Sequence, residues 1–240
     1  KTLAKNGVQV QMILEDNKYG PDEESKPRWR WIQVRNDKKL HTNFVHAKTF
    51  VSDHFFIIQT ANLTNSAFND QREYYILWQD ASVIGNLKTL FEKDREWARI
   101  IPDDIHPNIL FCPIDCRHKI TTLINSATES IWIQNQYLDD TEIIWLLERK
   151  NNLDIRINLP KDEKNTSKPS SLLSNSIKLL SSPRIHSKAL LIDHRFLVIS
   201  SINLSSNSMD HNREIGIIIT DSHLINKFMK QFESDRSRSK

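Results

Sequence analysis

The chain has 240 residues, of which 38% are hydrophobic and 26% charged, with a formal net charge of +3. This length holds one large domain or two lobes of about 100–150 residues each, and the composition excludes a disordered or low-complexity chain. No apolar run reaches the roughly 18 residues of a membrane-spanning helix, and the mildly basic balance lacks the strong basic stripe of a dedicated nucleic-acid enzyme.

In chain order, apolar alternation predicts strands over 8–14, 28–34, 46–51, 55–59 and 74–78. A helix over 82–99 follows, with Val83, Leu87, Leu90, Phe91 and Trp97 inward. Residues 102–116, with prolines at 102 and 107 near their start, read as a linker between an N-terminal lobe (1–101) and a C-terminal lobe (117–233). Cys112 and Cys116 fall in this linker. They read as loop thiols, with a local disulfide as the alternative. The C-terminal lobe opens with a helix over 117–126 carrying Ile120, Leu123 and Ile124 at helical spacing. A strand over 131–137 and a helix over 141–150 come next. Strands over 154–159, 177–180, 187–192, 196–200 and 215–220 and a helix over 224–233 complete it. Residues 161–182 read as a long, partly mobile loop of the kind that forms lids, and 234–240 as a disordered tail. The alternation of strands and helices predicts an α/β fold with mixed sheets flanked by helices.

An internal repeat organises the chain. His46, Lys48 and Asp53 recur at an offset of 140 as His186, Lys188 and Asp193, and Asn62 and Glu73 recur at an offset of 141 as Asn203 and Glu214. Upstream, residues 6–14 align with 151–159 at an offset of 145. The helix over 117–126 and the strand over 131–137 then have no counterpart in copy one. The N-terminal lobe is expected to lack its first helix and strand, about 25–30 residues of fold, which the parent protein would supply upstream.

A His and a Lys two apart on a strand share one face. The Asn after the next strand can return to the same end of the sheet. A lysine beside each histidine repels a metal cation and attracts an anion, so phosphate is the natural ligand. Two lysines and two asparagines can hold its oxygens. Two histidines allow one to attack phosphorus while the other donates a proton to the leaving oxygen and later activates water. Glu73 and Glu214 are candidates to fix the histidine tautomers. His54 and His194 read as turn residues. Residues 27–35, which interleave basic and aromatic side chains, read as an amphipathic strand, with a nucleic-acid or lipid contact as the alternative.

The doubled pattern from His46 through Lys48, Asp53, Thr60 and Asn62, and from His186 through Lys188, Asp193, Ser201 and Asn203, resembles the signature of the phospholipase D superfamily. The likeness covers nearly the whole chain. It implies two α/β lobes related by a pseudo-twofold, one site between them, and metal-independent transfer through a phosphohistidine without a cofactor. By this resemblance His46 is the nucleophile and His186 the acid, Asp53 and Asp193 order the motif from behind, and Thr60 and Ser201 belong to the phosphate loop. The family's glycine is replaced by Gln59 in copy one and Ser200 in copy two, and Gln59 is expected to crowd the phosphate. The implied substrate is a phosphodiester, with phospholipid favoured. A nuclease and a non-catalytic scaffold are the alternatives. Family nucleases often use one motif per chain in a homodimer, so two motifs in one chain imply a self-contained, monomeric site. Peripheral membrane contact, in the cell envelope or after secretion, accompanies the lipid reading.

Overall fold

The computed structural model describes residues 6–14, 33–36, 40, 42–166 and 172–238. The first copy contributes β1 (Gln11–Leu14), β2 (Gln33–Asn36), β3 (Thr49–Val51), β4 (Phe56–Gln59), α1 (Asn65–Asn69), β5 (Gln71–Arg72), β6 (Tyr75–Trp78) and α2 (Ala81–Glu96). The second contributes β7 (Ile109–Cys112), α3 (Cys116–Ser126), β8 (Ser130–Asn135), α4 (Thr141–Arg149), β9 (Asp154–Pro160) and α5 (Glu163–Thr166). It continues with β10 (Ile177–Leu180), β11 (Arg184–Ile185), β12 (Lys188–Ile192), β13 (Phe196–Ser200), β14 (Glu214–Ile219) and α6 (Ser222–Ser237).

The second copy builds a seven-stranded mixed sheet in the order β10-β9-β8-β12-β13-β14-β7. β12 is central and buried along its whole length, which suits its run of apolar residues after Lys188. One face of the sheet, through Ile131, Ile133, Leu190 and Val198, packs on Ile120 and Ile124 of α3 and Ile143 and Leu147 of α4. The other face, through Leu191, Leu197, Ile199 and Ile217, packs on α2 and α6 and on Phe56, Ile58 and Ile76 of the first copy. The two copies thus share one core, to which α2 and α6 contribute. Asp80, Asp140 and Asp221 cap α2, α4 and α6 by accepting backbone N–H groups of the first turn.

Several expectations change. Residues 109–112 are no linker: β7 is an edge strand hydrogen-bonded to β14, because its four apolar residues are all buried. Cys112 and Cys116 are disulfide-bonded rather than free. Helix α6 runs through Ser237, so most of the expected tail is ordered; Asp235 is buried and ion-paired, which holds the last turn. Trp97 ends α2 in a left-handed conformation and points outward. Within 161–182, α5, β10 and the buried Leu173 give part of the expected loop a fixed place; residues 167–171 lie outside the described residues. So do residues 27–32 of the basic-aromatic stretch.

Candidate active site

Each histidine is delivered by backbone pairing with the opposite copy. Val45 bridges Arg213 in parallel, and the His46 N–H donates to Arg213 O at 2.9 Å. Symmetrically, β11 pairs in parallel with β5, and the His186 N–H donates to Arg72 O at 3.3 Å. Arg213 and Arg72 each precede a motif glutamate. The pairing therefore sets every histidine beside the glutamate of the other copy.

The side chains follow. His46 Nδ1 donates to Glu214 at 2.9 Å, and His186 Nδ1 donates to Glu73 at 2.5 Å. A carboxylate only accepts, so each glutamate fixes the proton on Nδ1 and leaves Nε2 for chemistry. Glu214 is fully buried and also accepts from Ser208 Oγ at 2.9 Å. Burial pushes its pKa up, but His46 and Lys48 outweigh burial and hold it below the ordinary value. Thr60 Oγ1 donates to Glu73 and accepts from the Tyr74 N–H, while Ser201 Oγ accepts from the Ile215 N–H. These two hydroxyls, expected in a phosphate loop, instead brace the glutamates and the strands that carry them.

Lys48 Nζ donates to His46 O at 2.7 Å; Lys188 Nζ donates to His186 O and to Gln136 Oε1 at 3.0 Å. Burial lowers the Lys48 pKa to about 8, with Glu214 and Glu73 opposing. Burial and then the charge of Lys48 lower Lys188 to about 7. The pKa of His186 is also lowered, by burial first and then by Lys188, against the pull of Glu73. The surroundings thus hold two lysines that repel each other at a site flanked by histidine Nε2 atoms. An anion placed there would relieve that repulsion.

The remaining motif residues are unequal. Asn203 is buried with Oδ1 lacking a hydrogen-bond partner, whereas Asn62 is exposed. Asp193 accepts from the N–H groups of Thr128, Glu129 and Ser130. Asp53 makes no such contacts among the described residues; it is exposed and pairs with Lys88. Gln59 does not reach toward an anion but donates to Ala61 O at 3.2 Å, opposite Tyr75 in the ladder. Ser200 lies opposite Gly216, where an added Cβ would meet the Ser200 Cβ at 2.6 Å. His54 and His194 both occupy the turns between motif strands, His194 at φ 51° and edge-on to Trp132.

Two reciprocal ion pairs were not foreseen. Arg72 forks onto Asp235 of α6 at 2.7 and 2.8 Å, and Arg213 reaches Asp94 of α2 at 3.0 Å. Asp94 and Asp235 stand at the same offset as Glu73 and Glu214, so the register of the repeat already contained them. Gln136 carried no repeat signal, because its counterpart falls ahead of the first residue.

Two histidines, two lysines and two crossed glutamates on a doubled α/β frame are the arrangement that the phospholipase D resemblance implied. The family model described as cardiolipin synthase, PLD-like domain, matches residues 1–95 and 120–236, and the chain belongs to this family. Cardiolipin synthase 1 of Bacillus anthracis is 27% identical over 135 residues, 51% of this chain and 26% of that protein. Cardiolipin synthase 1 of Staphylococcus aureus is 26% identical over 132 residues, 50% of this chain and 27% of that protein. The matched stretch therefore spans about a quarter of these curated relatives. Among solved structures, phosphatidylserine synthase of Haemophilus influenzae shares the fold over 99% of this chain and 83% of its own, at a TM-score of 0.63 and 11% identity.

Proposed function

We propose that the chain carries the catalytic centre of a phosphodiesterase that acts on phospholipids through a phosphohistidine, independently of any metal. The observation that carries this reading is the crossed pairing of His46 with Glu214 and His186 with Glu73 over Lys48 and Lys188. His46 Nε2 attacks phosphorus, and the bond to the leaving oxygen breaks as that oxygen takes a proton from His186 Nε2. Water then attacks the phosphohistidine, giving its proton to His186, and the P–N bond breaks. With an alcohol in place of water, the same steps transfer the phosphatidyl group. Lys48 and Lys188 hold the non-bridging oxygens, with Asn62 and Asn203 beside them. Glu73 and Glu214 act as positioning residues.

The relatives named cardiolipin synthase favour a lipid substrate. The Cys112–Cys116 disulfide suits an oxidising compartment, in keeping with an envelope or secreted enzyme that touches a membrane peripherally. The site draws both histidines from one chain, which supports a monomer.

The test compares release of head group from phosphatidylglycerol and phosphatidylcholine vesicles with cleavage of single-stranded DNA, with and without chelator. Expected are lipid turnover that survives chelation, its loss in His46→Ala and in His186→Ala, and an acid-labile phosphate on His46. Turnover of DNA alone would assign a nuclease. Turnover of neither substrate would assign a scaffold, and loss of activity on chelation would overturn the mechanism.

A further inference from the structure

Lys48 and Lys188 hold the same place in the repeat but are held differently. Each ammonium donates to the carbonyl of the histidine two residues before it. Lys188 Nζ also donates to Gln136 Oε1 at 3.0 Å, whereas Lys48 has no hydrogen-bonded side-chain acceptor among the described residues.

Strand pairing brings Gln136 to this place. β8 pairs with β12 so that Lys188 lies opposite Asn135, the last residue of β8. Gln136 comes next, where the chain bends away from the sheet. The Asn135 carboxamide is turned to the backbone: it donates to Ile202 O at 3.4 Å and accepts from the Tyr137 N–H at 3.2 Å. The acceptor for the ammonium therefore comes from one residue further on.

Gln136 is itself fixed by α5, in the segment that follows β9. Asn165 Nδ2 donates to Gln136 O at 3.0 Å and to Pro160 O at 3.1 Å, and Asp162 accepts the Asn165 N–H at 3.0 Å. Asn165 is buried, so its matched donors are costly to remove. Asn165, Gln136 and Lys188 form one line of contacts from this segment to the lysine.

The chemistry of the acceptor matters as much as its position. Lys188 is fully buried, and the charges around it are Lys48, Glu73 and Glu214, with the His186 ring against its ammonium. Both glutamates are committed to histidines. A carboxamide oxygen orients the ammonium without adding a third negative charge. A carboxylate in its place would compete with an anionic ligand for the same ammonium.

We propose that Gln136 is a positioning residue of the anion site: held by Asn165, it aims the Lys188 ammonium with a neutral oxygen and leaves the positive charge for a phosphate oxygen. Lys188 is then the fixed anchor of the phosphate and Lys48 the adaptable one. This inference rests on the phosphodiester reading in taking phosphate as the anion.

The test uses the 240-residue chain and inorganic phosphate, with the Lys188 titration followed by NMR at its Cε. Gln136→Glu should raise the Lys188 pKa by at least about one unit. It should also weaken phosphate about tenfold at about pH 6, where Lys188 is charged in both proteins. The lysine then holds its proton more firmly while the anion binds less well, a combination that loosened packing would not produce. Gln136→Met, which offers no acceptor oxygen, should lower the Lys188 pKa and weaken phosphate too. Asn165→Ala should follow Gln136→Met in direction. An unchanged Lys188 titration in Gln136→Glu would overturn the proposal, as would unchanged phosphate affinity in Gln136→Met. Asn165→Ala behaving as the unsubstituted chain would overturn the part played by α5. Absence of phosphate binding in the unsubstituted chain would overturn the phosphodiester reading, with the Lys188 titrations still deciding whether Gln136 governs the lysine.

Discussion

Glu214 holds His46 at 2.9 Å across 168 residues of sequence, and Glu73 holds His186 in the reciprocal way. Neither copy of the motif is complete by itself: each histidine takes its orienting carboxylate from the other. Glu214→Gln should therefore impair His46, not His186. The Nδ1 proton resonance of His46 should shift upfield or vanish while that of His186 persists, and Glu73→Gln should do the converse. Turnover should fall about 10²–10⁴-fold in each variant with little change in KM, because the amide no longer enforces the tautomer. Loss of both resonances in either single variant would contradict the crossed arrangement.

The Arg72–Asp235 pair ties the segment before Glu73 to the last turns of α6. Asp235 is fully buried, so Asp235→Asn leaves the partly exposed guanidinium of Arg72 without its counter-charge. A loss of about 3 kcal/mol in urea unfolding is expected. A chain ended at Ser234 should lose a similar amount. An unchanged midpoint would mean that the residues after 233 behave as the tail suggested by their composition.

Gly216→Ala should destabilise the second copy by about 1–3 kcal/mol, because the new methyl meets the Ser200 Cβ across the ladder. The double variant Ser200→Gly with Gly216→Ala should recover most of that loss in thermal unfolding. Failure of Ser200→Gly to rescue would place the strain elsewhere.

Lys48 and Lys188 are lowered to about 8 and about 7 from an ordinary 10.5. Between those values and 10.5 the unfolded chain binds more protons than the folded one, so this pair makes stability rise with pH across that window. Lys188→Met should flatten the rise in urea titrations at about pH 7 and about pH 9.5. Inorganic phosphate should act in the opposite sense: it favours the charged lysines, so its binding takes up protons near pH 8 and weakens as pH increases. Calorimetry in buffers of different ionisation enthalpy reads that uptake. Proton release on phosphate binding would contradict the lysine pair as the anion site.

The repeat in the sequence already specified the doubled α/β fold, the family, and the histidines and glutamates that the structure pairs. Spacing in register survives whatever the chain does in space, and alternation of apolar residues reports which faces are buried. The same register also contained Asp94 and Asp235, legible as an extension of the repeat that had not been followed far enough. β7 was hidden by the prolines around it, which look like a linker even though Ile109–Cys112 is an apolar strand. The end of α6 was hidden by its polar composition, since the Arg72–Asp235 pair and the hydrogen bonds of Arg236 hold it rather than an apolar stripe.

What sequence by itself could not decide was which glutamate serves which histidine. Equal spacing in the two copies fits a pairing within each copy as well as a crossed one. The crossing arises because residues 43–46 and 184–186 each add as a short strand to the other copy, beside Arg213 and Arg72. Sequence also suggested equivalent roles for Asp53 and Asp193. Only the tertiary structure separated them, because Asp193 has the turn before β8 to cap whereas Asp53 is exposed and pairs with Lys88. Residue types and their register are local properties of the chain; partnership between copies is a property of long-range packing.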